Sequence, residues 1–211
     1  MAEWTWRRRQ ALLDTVRIYK AKEAVALAHA AVAEGKGPVL LADYSDRSGY
    51  ATWLLREIVA QKLERTLIAT IASPEAVRSV IESGAKPGDA FDAEIGGLFD
   101  ESAGTPMRIF GTLRSVGPAT TARGHGRDWI CVEFGKGNLL VLSPYLVQII
   151  EPSELWQLGL APDEFDVIAI KSRVHFRRGF DDSRFTPTII LVEPPEPFMG
   201  TVHLDALPYE N

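Results

Sequence analysis

The sequence is poor in cysteine, in long apolar runs and in positive charge. Its 211 residues include one cysteine, Cys131, which excludes an intramolecular disulfide and a zinc site built from several cysteines. No apolar run approaches the ~18 residues of a membrane-spanning helix, and no apolar segment typical of a signal peptide follows the N-terminus. The net charge of −5 argues against a broad nucleic-acid surface. We therefore expect a cytoplasmic protein that binds neither membranes nor nucleic acid.

The composition is that of a globular protein with a sizeable core, because 46% of the residues are hydrophobic and 24% are charged. Apolar residues at helical spacing predict helix over residues 3–34, with a break near residues 19–22. We therefore divide the chain into an N-terminal helical segment, residues 1–36, and one domain, residues 37–211.

Strands and helices alternate along much of that domain. The pattern predicts buried strands at 39–42, 66–71, 167–170 and 188–192, a helix that carries Trp53 to Val59 with Ser48 as its cap, and another helix opened by Ser73 and Pro74. This alternation is typical of an α/β fold with a mostly parallel sheet flanked by helices. Between residues 84 and 150 the pattern changes to strands at 89–95, 107–116, 129–134, 138–142 and 146–150, which predicts a β-rich subdomain in the middle of the chain.

Polar residues gather where the first strand of the domain ends. Asp43, Asp46, Arg47 and Ser48 follow the apolar run there. In open α/β sheets, ligands bind beyond the carboxyl ends of the strands, so these residues are candidates for substrate binding. The alternative is structural: Asp46 and Ser48 satisfy the turn and cap the next helix.

A second polar cluster follows the buried strand at 167–170. It contains Lys171, Ser172, His175 and Arg177. Histidine transfers protons near neutral pH, and lysine and arginine hold anions. The alternative is a capped turn in which His175 bonds to backbone and Arg177 pairs with an aspartate. Because parallel strands place their carboxyl ends at one edge, we expect Asp43 and Asp46 to lie near Lys171 and His175.

Other catalytic signatures are missing from the sequence. The four histidines show no short metal-ligand spacing, which predicts no metal site within this chain. There is no Gly-x-Ser-x-Gly elbow and no Walker-type phosphate loop. Nucleophilic catalysis by serine or cysteine therefore has no support.

At the two polar clusters the chain resembles the C-terminal domain of the microcystinase C (MlrC) metallopeptidases. The resemblance extends over nearly the whole chain, and its most specific element is the stretch from Lys171 to Arg177, which matches a K-S-x-x-H-F-R signature. The other matching stretches are 39–49, 69–77, Gly96–Gly97 and 102–106. The family's D-N-P-G-G-G loop reads Asp46-Arg-Ser-Gly-Tyr-Ala51 here, which predicts a different loop shape or ligand.

The resemblance implies a role as one part of a zinc-dependent hydrolase. In full-length members a preceding N-terminal domain holds the catalytic zinc, so this chain would be the accessory domain that completes the active-site cleft. It would need no cofactor of its own and would be inactive alone. His175 would be the catalytic candidate, as a proton donor or oxyanion partner. The substrate-binding candidates are Asp43, Asp46, Arg47, Ser48, Lys171, Ser172 and Arg177.

The expected partner is the N-terminal metallopeptidase domain. It would belong to the same protein if this chain is an excised domain, and it would be a separate gene product if the enzyme is split between two genes. Exposed aromatic residues such as Trp4, Trp6 and Tyr50 could mark the docking face, and self-association could replace the partner. A different hypothesis is a stand-alone module that binds a small molecule or an anion at the same strand ends without catalysis.

Overall fold

The computed structural model of the chain describes residues 2–13, 16–44, 46, 48–97, 103–120 and 126–195. Within these ranges the strands form one nine-stranded mixed sheet in the order β1-β9-β2-β8-β3-β7-β6-β5-β4. Neighbouring strands from β1 to β7 in this order are parallel, and β7, β6, β5 and β4 pair antiparallel. The strands are β1 Ile18–Lys20, β2 Val39–Asp43, β3 Thr66–Ala72, β4 Ala90–Ile95, β5 Met107–Thr120, β6 Gly126–Phe134, β7 Asn138–Ser143, β8 Val167–Lys171 and β9 Thr188–Glu193. The predicted α/β class with a mostly parallel sheet is confirmed.

Five α-helices accompany the sheet in the described ranges: α1 Ala2–Leu13, α2 Ala21–Ala33, α3 Trp53–Ala60, α4 Pro74–Ser83 and α5 Pro152–Gln157. A 3-10 turn spans Pro162–Glu164, and a π-helical turn spans Arg177–Asp181. None of the helices described here is long and apolar enough to cross a membrane.

Both faces of the sheet are covered, which explains why its central strands are apolar throughout. Successive side chains of a strand point to opposite faces. In β2, Leu41 packs in the core under α2, α3 and α4, whereas Leu40 packs in the core under α5 and the π-helical turn. All five residues of β2 and all five of β8 are buried.

The middle of the chain extends this sheet. The predicted β-rich stretch supplies β4 to β7, and β7 lies parallel to β3, which in turn pairs with β8. The turn from Gly135 to Gly137 joins β6 to β7. The antiparallel part is therefore continuous with the parallel part.

Two local predictions are wrong and one strand was not predicted. Residues 146–150 form no strand. Ser48 does not cap a helix, since α3 begins five residues later with Thr52 at its N-cap. The helix break contains β1, whose three residues pair with β9. An ion pair of 2.9 Å between Lys20 Nζ and Glu193 Oε1 holds this short edge strand in place.

Candidate functional site

Asp43 and Lys171 are placed by the two central strands. Each is the last residue of its strand, and the parallel register of β2 and β8 pairs one directly with the other. The apolar runs that precede them hold the strands in the core, so both polar groups emerge at the carboxyl edge. The backbone N–H of Ser172 donates to the Asp43 carbonyl at 3.1 Å and extends this connection by one residue.

Lys171 forms a buried ion pair with Asp46. The Nζ donates to Asp46 Oδ2 and, at 3.2 Å, to the carbonyl of Ala51. Asp43 Oδ2 lies 3.8 Å from the same Nζ. The side chains of Lys171, Asp43 and Asp46 are 7%, 2% and 0% exposed. The two polar clusters, 125 residues apart in the chain, therefore meet inside the protein.

Asp46 also organises the loop that follows β2. Its Oδ1 accepts hydrogen bonds of 2.9 Å from the backbone N–H groups of Ser48 and Gly49 and from the hydroxyl of Ser48. Its Oδ2 accepts from the N–H of Ala51 at 3.1 Å. The Ser48 hydroxyl in turn accepts from the N–H of Tyr50 at 3.1 Å. Asp46 thus holds the backbone of residues 48–51, and the Ser48 hydroxyl stabilises the same turn through its bonds to Asp46 and Tyr50.

The charge of Asp46 is stabilised in spite of its burial. Burial by itself would raise the pKa of the carboxyl, but the Lys171 ammonium and the hydrogen bonds from Ser48 and Gly49 outweigh it, and the pKa lies below its ordinary value. The Asp46 carboxyl is therefore ionised at neutral pH.

The second polar cluster divides between the interior and the surface. The Ser172 side chain is buried, and its hydroxyl accepts from the N–H of Phe176 at 3.1 Å. His175 is exposed beyond the carboxyl edge. Arg177 is 51% exposed and pairs with Asp181 at 3.1 Å. Of the predicted site residues, the structure brings together Asp43, Asp46, Lys171, Ser48 and Ser172, while Arg47 lies outside the described residues.

The connection between β4 and β5 also lies at this edge, which reasoning from the strand pattern missed. The N–H of Gly97 donates to the Tyr50 carbonyl at 2.7 Å, and the N–H of Thr52 donates to the Ala103 carbonyl at 3.0 Å. The Thr52 hydroxyl donates to the Thr105 carbonyl at 2.7 Å. The available signal was the resemblance, which had singled out Gly96, Gly97 and residues 102–106.

Close packing explains why glycine stands at position 96. Gly96 has φ +61°, and a Cβ there would lie 2.6 Å from Thr52 Cγ2 and 2.7 Å from the Tyr50 carbonyl oxygen. Glycine adopts this left-handed conformation without steric cost and, having no Cβ, leaves room for the neighbouring loop. The loop after β2 is therefore held by the buried Lys171 and by hydrogen bonds to the two ends of the β4–β5 connection.

The buried carboxylates do not fit a metal site. Both oxygens of Asp46 are occupied by Lys171 and by the loop's own donors. No group of three or more His, Cys, Asp or Glu residues in the described ranges has the arrangement to hold a metal ion. A cavity of about 20 Å³ beside Asp43, Thr70 and Lys171 matches a single water molecule in size. The chemistry open to this edge is hydrogen bonding and proton transfer by exposed groups such as His175.

A much larger cavity, of about 630 Å³, lies at the opposite edge of the sheet, near the starts of β3, β7 and β8. Its two arginines already have carboxylate partners: Arg65 pairs with Asp166 at 3.0 Å and Arg114 with Glu133 at 2.8 Å. Ligands of open α/β sheets bind at the carboxyl edge, which makes the polar clusters there the candidate site.

The fold and the polar edge define an α/β domain with helices on both faces of the sheet, in which a buried ion pair holds one loop over the strand ends. The family model described as "MlrC C-terminus" matches residues 41–209, and the chain belongs to this family. No protein with a curated description matches the sequence.

A solved structure shares the fold. It is a protein from Mesorhizobium sp. BNC1 named "putative metallopeptidase", with a TM-score of 0.72 and 16% sequence identity. The match takes in 99% of this chain and 45% of that chain, so this chain spans less than half the length of its structural relative.

Proposed function

We propose that this chain is the accessory domain of an MlrC-like zinc-dependent hydrolase and that it forms one wall of the active-site cleft. Membership of the MlrC C-terminus family is the observation that carries the proposal. The likeness to part of a longer chain named for a metallopeptidase supports it. We place the zinc in another domain, because the buried carboxylates at the carboxyl edge, Asp43 and Asp46, are engaged by Lys171 and by backbone donors.

The carboxyl edge suits the role of a cleft wall because hydrogen bonds to the buried Asp46 and Lys171 side chains hold residues 48–51 in place. A binding surface must be held in place by groups whose own positions are fixed. Asp46 and Lys171 supply that support from the interior, and the β4–β5 connection braces Thr52 from the side. Asp43, Asp46 and Lys171 thus position the substrate-facing loop and do not contact substrate themselves.

His175 is the residue that we propose for contact with the reacting groups. It is exposed and lies four residues beyond Lys171 on the same rigid edge. An imidazole at that place donates a proton or a hydrogen bond to an oxygen of the substrate. Arg177 and Ser48 contribute to substrate binding at the rim, and Ser172 holds the turn that carries His175.

Reconstitution tests this function. The chain is co-expressed with the N-terminal metal-binding domain that we propose for the same hydrolase, and turnover of a panel of small amides and esters is measured with and without a chelator. We expect turnover by the complex that the chelator abolishes, and none by either part alone. Equal metal-dependent turnover by the partner without this chain would contradict the cleft-wall role.

A further inference from the structure

We propose that the metal-binding domain docks on the carboxyl edge of the sheet and that Tyr145, Leu146 and Val174 make its apolar contacts. We refer to these three residues as the edge patch. The inference rests on the proposed function, since it names the surface on which the partner of that function is held.

The edge patch exposes large apolar side chains beside the candidate site. Tyr145 is 40% exposed, Leu146 41% and Val174 53%. Tyr145 and Leu146 follow the carboxyl end of β7, and Val174 follows that of β8. Burial of apolar surface is the main favourable contribution to protein association, and aromatic residues are enriched in interface cores.

One half of the edge patch is held rigid by the loop after β2. Leu146 packs so closely against Gly49 that a Cβ at Gly49 would lie 2.7 Å from Leu146 Cδ1. The Ser143 hydroxyl donates to the Tyr145 carbonyl, and the Thr70 hydroxyl donates to the Val147 carbonyl, both at 2.8 Å. A surface that is already ordered loses little conformational freedom on binding.

The other half is held by a stacked pair. The Arg173 guanidinium lies over the Tyr44 ring, 4.4 Å from its centroid. This contact joins the segment after β8 to the segment after β2, and Val174 is the next residue. Both halves thus adjoin the segment that follows β2, through Leu146 at Gly49 and through Arg173 at Tyr44, and His175 follows directly after Val174.

The choice of the metal-binding domain as the partner that docks on the edge patch rests on the position of the patch and on the length of the structural relative. More than half of that chain lies outside the shared fold, since the match takes in 45% of it. A domain seated on both halves of the edge patch would close over Ser48 and His175 and form a cleft with them. A second copy of this chain in the same place would set two identical walls against each other and contribute no metal.

The test measures the affinity of this chain for the same N-terminal metal-binding domain, by isothermal titration calorimetry. Leu146→Glu and Val174→Glu each place a charge in the edge patch. Phe110→Glu is the matched control, since Phe110 is 65% exposed on β5, which β3, β7 and β6 separate from β8. We expect Kd to rise at least tenfold for the two edge variants and to stay within twofold for the control. Circular dichroism confirms that each variant is folded.

The inference is overturned if both edge variants bind like the unmodified chain, if no complex forms at all, or if the edge patch instead mediates self-association that the partner does not displace. It can fail independently of the proposed function. Turnover by the complex with edge variants of unchanged Kd would sustain the function and refute this docking surface. A raised Kd for the edge variants in a complex without hydrolase activity would sustain this docking surface and refute the proposed function.

Discussion

Asp43 and Lys171 are direct partners in the register of β2 and β8, yet the Lys171 ammonium makes its close contact with Asp46 and leaves Asp43 Oδ2 3.8 Å away. Lys171 therefore ties the end of one central strand to the loop that leaves the other. The buried charged residues at this edge therefore support the loop. The exposed residues around them remain accessible to a substrate or a partner.

Removing Lys171 tests this support. Lys171→Met leaves the Asp46 carboxylate buried without its counter-charge, and loss of one member of a buried pair costs about 3 kcal/mol or more of unfolding free energy. Urea unfolding measures the change. Lys136→Met is the control, because Lys136 is 80% exposed in its pair with Glu64 and should leave the unfolding midpoint unchanged. A Lys171 variant as stable as the Lys136 variant would contradict a supporting role.

Acid should weaken the fold through Asp46. The pKa of Asp46 is lower in the folded chain than in the unfolded one. Its contribution to the free energy of unfolding is therefore complete above the ordinary aspartate pKa and is lost as the pH falls through the pKa of the folded state. Unfolding free energies measured by urea from pH 7 to pH 3 should fall more steeply for the unmodified chain than for Asp46→Asn. Identical slopes would show that Asp46 is not linked to folding.

The contact between the two loops at the edge depends on Gly96. Gly96→Ala should destabilise the fold more than Gly84→Ala, since both have positive φ but only Gly96 has neighbours within 4 Å of the added Cβ. The strained backbone costs about 1 kcal/mol at either position, and the overpacked contact at Gly96 adds about 1–3 kcal/mol. Thermal unfolding compares the two. Equal losses would mean that the loops can separate without cost.

The isolated chain should bind well under one equivalent of zinc, because its buried carboxylates are engaged with Lys171 and with backbone donors. Metal analysis after dialysis without chelator measures the content. One tightly held equivalent with nitrogen and oxygen ligands would place the metal in this chain and contradict the division of roles between two domains.

The sequence predicts the core strands well because burial on both faces leaves an unbroken apolar run, as in β2 and β8. It does not predict β1, since three residues between two helices carry too short a pattern and depend on pairing with β9. Residues 146–150 resemble a strand in composition, but Leu146 packs against Gly49, and the Thr70 hydroxyl donates to the Val147 carbonyl.

The candidate site could be predicted in part. The shared edge follows from parallel strands, which is why Asp43 and Lys171 meet as expected. The sequence favours Ser48 as a helix cap because it precedes an apolar segment, but Asp46 uses that hydroxyl in its own turn. The contacts of Gly96, Gly97 and residues 103–106 with the loop after β2 join segments that are distant in sequence, so the local pattern does not predict them.

The most direct test of the cleft-wall role is the kcat/KM of the reconstituted two-domain enzyme with His175→Ala, compared with Arg178→Ala. Arg178 lies three residues further along with its side chain 85% exposed, so it matches His175 in position but has no proposed contact with substrate. Loss of a positioned proton donor lowers turnover by about 10²-fold or more. We predict such a loss for His175→Ala with an unchanged Kd for the partner, and less than a twofold change for Arg178→Ala. Full activity in the His175 variant would contradict the account.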